Sequence, residues 1–81
     1  MISFQLLKEL KHAEDEQFLR YLVSSDDHVY IRFSNKSTTL DQIHKVQQHI
    51  EAAYDYRTEV IEGITGPVMW VYPEQPLKKN T

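Results

Sequence analysis

Glu16-Gln17-Phe18-Leu19-Arg20-Tyr21-Leu22-Val23-Ser24-Ser25-Asp26-Asp27-His28-Val29-Tyr30-Ile31-Arg32-Phe33, residues 16–33, decides how many strands this chain has. Read as helix, residues 16–23 place Phe18, Tyr21 and Leu22 on one face and extend the helical stretch before them. Read as a strand, they turn at Ser25-Asp26-Asp27 into residues 28–33. Ser and Asp favour that turn because their short side chains hydrogen-bond to nearby backbone. The runs on either side are rich in aromatic and β-branched residues, and the hairpin is the preferred reading.

Residues 28–34 carry the clearest strand pattern, with Val29, Ile31 and Phe33 on one side and Tyr30 and Arg32 on the other. The apolar set is expected to face the helices. Around this hairpin a repeated order emerges: a helical stretch and two β-rich runs in residues 3–34, then the same again in 39–73.

The first helix is expected to start near Ser3, whose hydroxyl is a candidate cap, and to run through Leu6, Leu7, Leu10 and Ala13. Phe4, Leu7 and Leu10 share one side of it. The second is expected from about Thr39 to Tyr56. Leu40, Ile43, Val46, Gln47, Ile50, Ala53 and Tyr54 recur at three- and four-residue spacings and form one apolar stripe. Thr39 with Gln42 fits a capping box, with Ser37 and Thr38 as alternative caps. Thr58 to Glu62 and Val68 to Tyr72 are two further strands, with Gly63, Gly66 and Pro67 supplying turn chemistry between them.

The expected fold is therefore α+β, in the order α-β-β-α-β-β, with an antiparallel sheet carrying two helices on one face. Residues 1–73 form the single domain. Pro73 and Pro76 end the regular pattern, and residues 74–81 are read as a flexible tail.

Eighty-one residues with no Cys leave neither a disulfide framework nor a thiolate zinc site to reinforce a thin core. A chain this short removes only roughly 60% of its accessible surface on folding. No apolar run approaches the roughly 20 residues that cross a bilayer, and a signal-peptide pattern is absent, so a cytoplasmic protein without membrane contact is expected. The formal net charge is −3. Acidic residues concentrate in residues 1–27, which hold six carboxylates against three basic side chains. Glu14-Asp15-Glu16 is the centre of that excess. It reads as a solvated helix end, or as an acidic patch that docks on a basic surface.

A catalytic reading finds little support. His44 and His49 are five residues apart and fall on different sides of a helix, whereas a zinc-peptidase helix needs a spacing of four with a following Glu. His44 and Glu51 share a face, a coincidence common on amphipathic helices. There is no glycine-flanked serine and no phosphate-binding glycine loop; Gly63-Ile64-Thr65-Gly66 leads into Pro67 and a strand rather than a lysine-bearing helix. Glu59 and Glu62 point to opposite faces of their strand. No catalytic, cofactor-binding or metal-ligating residues are assigned.

What remains is the second face of the sheet. If Val29, Ile31 and Phe33 meet the helices, the other side holds Tyr30 and Arg32, and it also receives either Phe18 and Leu22 or Leu19 and Tyr21, plus one register of Val68-Met69-Trp70-Val71-Tyr72. No third layer remains in so short a chain to cover that face, and sizeable exposed apolar patches commonly mark interfaces. Tyr30, Arg32, Trp70 and Tyr72 are of the residue types that dominate interface energetics. With Glu14, Asp15 and Glu16 they make up the candidate partner-binding set.

The expected partner is another protein, a second copy of the chain, or both. Aromatic residues beside Arg on an open sheet also suit single-stranded nucleic acid, but the acidic balance and scattered basic residues argue against it. In composition the chain is similar to small bacterial and phage-encoded regulators and inhibitors, with no motif behind that likeness. The function expected is a non-enzymatic interaction module that regulates or inhibits a larger protein.

Overall fold

The computed structural model describes residues 2–34, 38–63 and 66–76. Chain order is α1 (Phe4–Asp15), β1 (Leu19–Val23), β2 (Val29–Phe33), α2 (Leu40–Tyr54), β3 (Tyr56–Gly63) and β4 (Gly66–Pro76). The α+β class and the α-β-β-α-β-β order are as the sequence implies.

The hairpin reading of residues 16–33 holds because the chain stops the helix before it can reach Phe18. The amide of Phe18 donates to the Ala13 carbonyl at 3.0 Å and that of Gln17 to the Glu14 carbonyl at 2.9 Å. Gln17 sits at φ 61°. These are the two bonds of a Schellman ending, with Gln in the left-handed position that glycine usually takes. Phe18 then packs edge-on against Phe33, ring centroids 5.9 Å apart.

At the tip, the Ser24 hydroxyl oxygen accepts from the amides of His28 at 3.1 Å and Asp26 at 3.3 Å. Asp27 adopts φ 62° there. The polar residues thus turn the chain by the local hydrogen bonding expected of them.

The four strands run in the order β1-β2-β4-β3, every pairing antiparallel. Each αββ half contributes one hairpin, and the two hairpins join through β2 and β4. The order therefore reads the same from either half. α1 packs against β1 and α2 against β3. Between them lies the core of Leu6, Leu10, Leu19, Val29, Ile31, Phe33, Ile43, Ile50, Met69 and Val71, with Ile2 at its margin. Alternation in β2 is strict: Val29, Ile31 and Phe33 are buried and Arg32 is exposed.

The second helix begins as its sequence indicates. Thr39 Oγ1 accepts from the Gln42 amide at 3.2 Å, and Gln42 Oε1 accepts from the Thr39 amide at 2.8 Å, a complete capping box. The alternative cap Ser37 lies outside the described residues. α2 ends at Tyr54 rather than Tyr56, because Asp55 turns left-handed at φ 58° and Tyr56 enters β3. The stripe is narrower than expected: Leu40 is 56% exposed and Ala53 is exposed. Both lie at helix ends that overhang the sheet.

Three other expectations are corrected. The Ser3 side chain makes no capping bond; its amide instead donates to the Tyr56 hydroxyl at 3.0 Å, tying the entry of α1 to β3. α1 continues two residues past Ala13, to Asp15. β4 continues through Glu74 and Gln75 to Pro76, so those residues of the expected tail belong to the sheet. Pro73 is accommodated at an irregularity: Arg57 pairs with Tyr72 but Tyr56 pairs with Pro76. A residue without an amide proton thus falls where the ladder is already interrupted. Residues 77–81 lie outside the described residues, as do Ile64 and Thr65 between β3 and β4.

Candidate interaction surface

Strand register assigns every side chain on the face away from the helices. Leu22 pairs with Tyr30, Tyr30 with Trp70, and Trp70 with Glu59, which makes one row across all four strands. Arg20, Arg32, Val68 and Ile61 make the next row by the same pairings. Tyr72 and Arg57 begin a third, toward the β1–β2 turn.

The aromatic residues of this face form one connected cluster. Tyr30 meets Trp70 edge-on with centroids 5.0 Å apart, Trp70 stacks with Tyr72 at 6.4 Å, and His28 packs edge-on against Tyr72 at 4.8 Å. The Arg57 guanidinium lies over the Tyr72 ring, 4.9 Å from its centroid, and donates to Gln75 Oε1 at 2.9 Å. The Tyr72 hydroxyl donates to Glu59 Oε1 at 3.2 Å. Partial burial, together with the nearby Glu59 carboxylate, raises the pKa of that phenol.

Flanking the cluster are two large exposed aliphatic side chains, Leu22 at 70% exposure and Ile61 at 44%. Val68, within the second row, is buried. The face thus has an aromatic middle and aliphatic margins on the two outer strands, an anatomy shared with protein interfaces.

Its charge differs from that of the whole chain. Arg20, Arg32 and Arg57 stand on this face, with Glu59 the one carboxylate among the described residues that the strand pairings place there. Arg20 and Arg32 are directly opposite each other, and neither has an ion-pair partner among the described residues. Like charges facing across strands destabilise a sheet by an appreciable fraction of a kcal/mol.

Tyr30, Arg32, Trp70 and Tyr72 therefore share one continuous surface, whereas the acidic run is divided. Glu14 lines a depression with Gln17, Arg20, Arg32 and Ser34 at the end of the sheet. Asp15 turns to the outside of α1 and accepts an ion pair from Lys11 at 3.3 Å, which raises the Lys11 pKa. Glu16 is the exposed C-cap. Of the three, Glu14 alone borders the open face. Arg20, Leu22, Arg57 and Ile61 also belong to that face. For Arg20 and Leu22 the signal is the length of the Ser24–His28 turn, which fixes Arg20 opposite Arg32; Arg57 and Ile61 follow from the register of β3 against β4.

The opposite, helical side is occupied by structural interactions. Glu9 on α1 joins α2 through its two carboxylate oxygens, one 2.9 Å from His49 Nε2 and the other accepting from the Tyr54 hydroxyl at 3.0 Å. Burial pushes the Glu9 carboxyl upward, but hydrogen bonds from His49, Tyr54 and Gln5 outweigh it and hold the group below its ordinary value. Burial and the Glu9 carboxylate push the Tyr54 phenol up to about 12. Tyr54 also stacks on Tyr56 with centroids 5.7 Å apart. His44 bonds Gln47 at 3.2 Å, and the Thr58 hydroxyl donates to Glu51 at 2.7 Å.

Among the described residues, no group of three or more His, Asp or Glu side chains is arranged to hold a metal ion, and no helix is long and apolar enough to cross a membrane. No family model, curated protein or solved structure matches the chain.

Proposed function

We propose that this protein is a non-enzymatic interaction module whose open sheet face covers a surface on a larger protein, acting as a regulator or inhibitor. The observation that carries the reading is the continuous row Leu22–Tyr30–Trp70, with the Tyr30 and Trp70 rings 5.0 Å apart, on a face that neither helix covers. Tyr, Trp and Arg are the residue types most enriched at binding hot spots, because each joins a large apolar body to a directed polar group. The aromatic residues are already packed against one another, so little side-chain freedom is left to lose on docking.

Replacing Tyr30 and Arg32 with Ala tests this reading. Partner binding should fall while the circular dichroism spectrum and cooperative unfolding persist. Unchanged binding by a folded double variant contradicts it.

A second reading, a nucleic-acid-associated accessory role, is favoured by one specific observation: Arg20 and Arg32, without an ion-pair partner among the described residues, stand beside a connected aromatic cluster. Backbone phosphates would answer both charges, and bases stack on aromatic side chains. The stacking of Trp70 on Tyr72 and the Arg57 guanidinium over Tyr72 occupy ring faces that such bases would need. This reading requires binding that weakens steeply with salt and disappears on nuclease treatment.

A further inference from the structure

We propose that the free edge of β1 pairs antiparallel with β1 of a second copy, centred on Tyr21, to join two four-stranded sheets into one continuous sheet. This strand edge is distinct from the open face of the sheet.

β1 is an outer strand of the sheet. Which of its backbone groups face outward follows from its bonds to β2. The Ser24 amide donates to the His28 carbonyl at 2.8 Å and the Ser34 amide to the Phe18 carbonyl at 3.2 Å. Residues 18, 20, 22 and 24 are thereby the ones directed at β2. In an antiparallel ladder the alternate residues turn the other way, so Leu19, Tyr21 and Val23 present their N–H and C=O groups along the free edge.

Self-pairing has three candidate registers. Centred on residue 20, it places Arg20 opposite Arg20 of the second copy and leaves Val23 unpaired. Centred on residue 22, it leaves Leu19 unpaired. Centred on Tyr21, it pairs Tyr21 with itself and Leu19 with Val23 in both directions, so all three outward residues of each strand exchange two hydrogen bonds. That register also sets Arg20 of each copy against Leu22 of the other. The Arg stem then covers a leucine that is otherwise 70% exposed, and no like charges meet across the new boundary.

The helix layer supplies a second contact. Phe4, Leu7 and Lys11 lie on the flank of α1 away from α2, with Phe4 75% exposed and Leu7 half-buried. Two lysines share that flank: Lys11 is met by Asp15, and Lys8 lies over the Phe4 ring, its Nζ 5.5 Å from the centroid. The other outer strand, β3, is guarded: Arg57, Glu59 and Glu62 line it and its register breaks between Tyr56 and Arg57. Charges and bulges of this kind prevent edge pairing, and β1 carries one charge, Arg20, and neither a bulge nor a proline. Two-fold pairing is closed, so it ends at a dimer.

The test combines mass with register. Sedimentation of the natural chain should give twice the monomer mass. Because the chain has no Cys, Arg20→Cys and Leu22→Cys, both at exposed positions, give unambiguous cross-links. Oxidising an equal mixture of the two single variants should yield the mixed disulfide in excess over both self-linked species together. A natural chain that stays monomeric up to its solubility limit overturns the proposal, as does preferential self-linking of either variant. Tyr30 and Arg32 lie on β2, away from this edge, so loss of the dimer and loss of partner binding are separately observable.

Discussion

Arg20 of β1 stands directly opposite Arg32 of β2 on the open face of the sheet, and neither guanidinium has a carboxylate partner among the described residues. A fold selected for stability alone has an easy remedy here. Replacing Arg20 with Glu should stabilise the sheet by about 0.2–1 kcal/mol through a cross-strand ion pair, read as a higher urea midpoint. On the open-face reading the same variant binds its partner more weakly. A gain in stability with unchanged binding would remove the arginine pair from the interface.

The left-handed residue that ends α1 is not a glycine. The conformation costs a residue with a β-carbon roughly 1–2 kcal/mol, and glycine gives back roughly 0.5–1 kcal/mol in extra chain entropy lost on folding. Gln17→Gly should therefore raise stability by up to about 1 kcal/mol. A lower unfolding midpoint would show that the Gln17 side chain contributes at the depression it lines beside Arg20 and Arg32.

Core and open face should respond differently to the same truncation. Ile31 is fully buried, and Ile31→Ala should cost about 2–5 kcal/mol, enough to unfold a chain of this size under mild conditions. Leu22→Ala, at a site 70% exposed in the single chain, should change the stability of the monomer by about 0.5 kcal/mol or less. Chemical denaturation of the two variants side by side checks both values.

The Glu9, His49 and Tyr54 cluster gives a pH dependence with a definite sign. The folded-state pKa of Glu9 lies below its ordinary 4.5, so its contribution is present above that value and is lost as pH falls through the lower folded-state pKa. Tyr54 is raised from 10 to about 12, so its contribution is present below pH 10 and is lost between those two values. Tyr54→Phe should cost about 1 kcal/mol at neutral pH and flatten the alkaline loss. Unfolding midpoints measured across both windows test this. An alkaline profile unchanged by Tyr54→Phe contradicts it.

The fold was legible because its strongest signals are local. Thr39 and Gln42 mark the start of α2, the Val29–Ile31–Phe33 alternation marks β2, and the Ser24–Asp27 segment supplies its own hydrogen bonds. What the sequence left open was decided by longer-range geometry. The extension of β4 past Pro73 depends on an irregularity opposite Tyr56, and the bond from Ser3 to Tyr56 joins residues far apart in the chain. Tyr30 and Arg32 could be placed on the second face from alternation alone. Arg20, Leu22 and Ile61 required the pairing register, which no single strand contains. The acidic run reads in sequence as a solvated helix end or as one docking patch, and helical rotation divides it, directing Asp15 to Lys11 and Glu14 to the sheet end.

The most direct test of the central claim is a paired affinity capture. Lysate of the source organism is passed over the natural chain and over the Tyr30→Ala, Arg32→Ala double variant, each with and without nuclease. The account predicts one stoichiometric protein that is retained by the natural chain, survives nuclease, and is lost with the folded double variant. Equal retention by both chains, or retention abolished by nuclease, would contradict it.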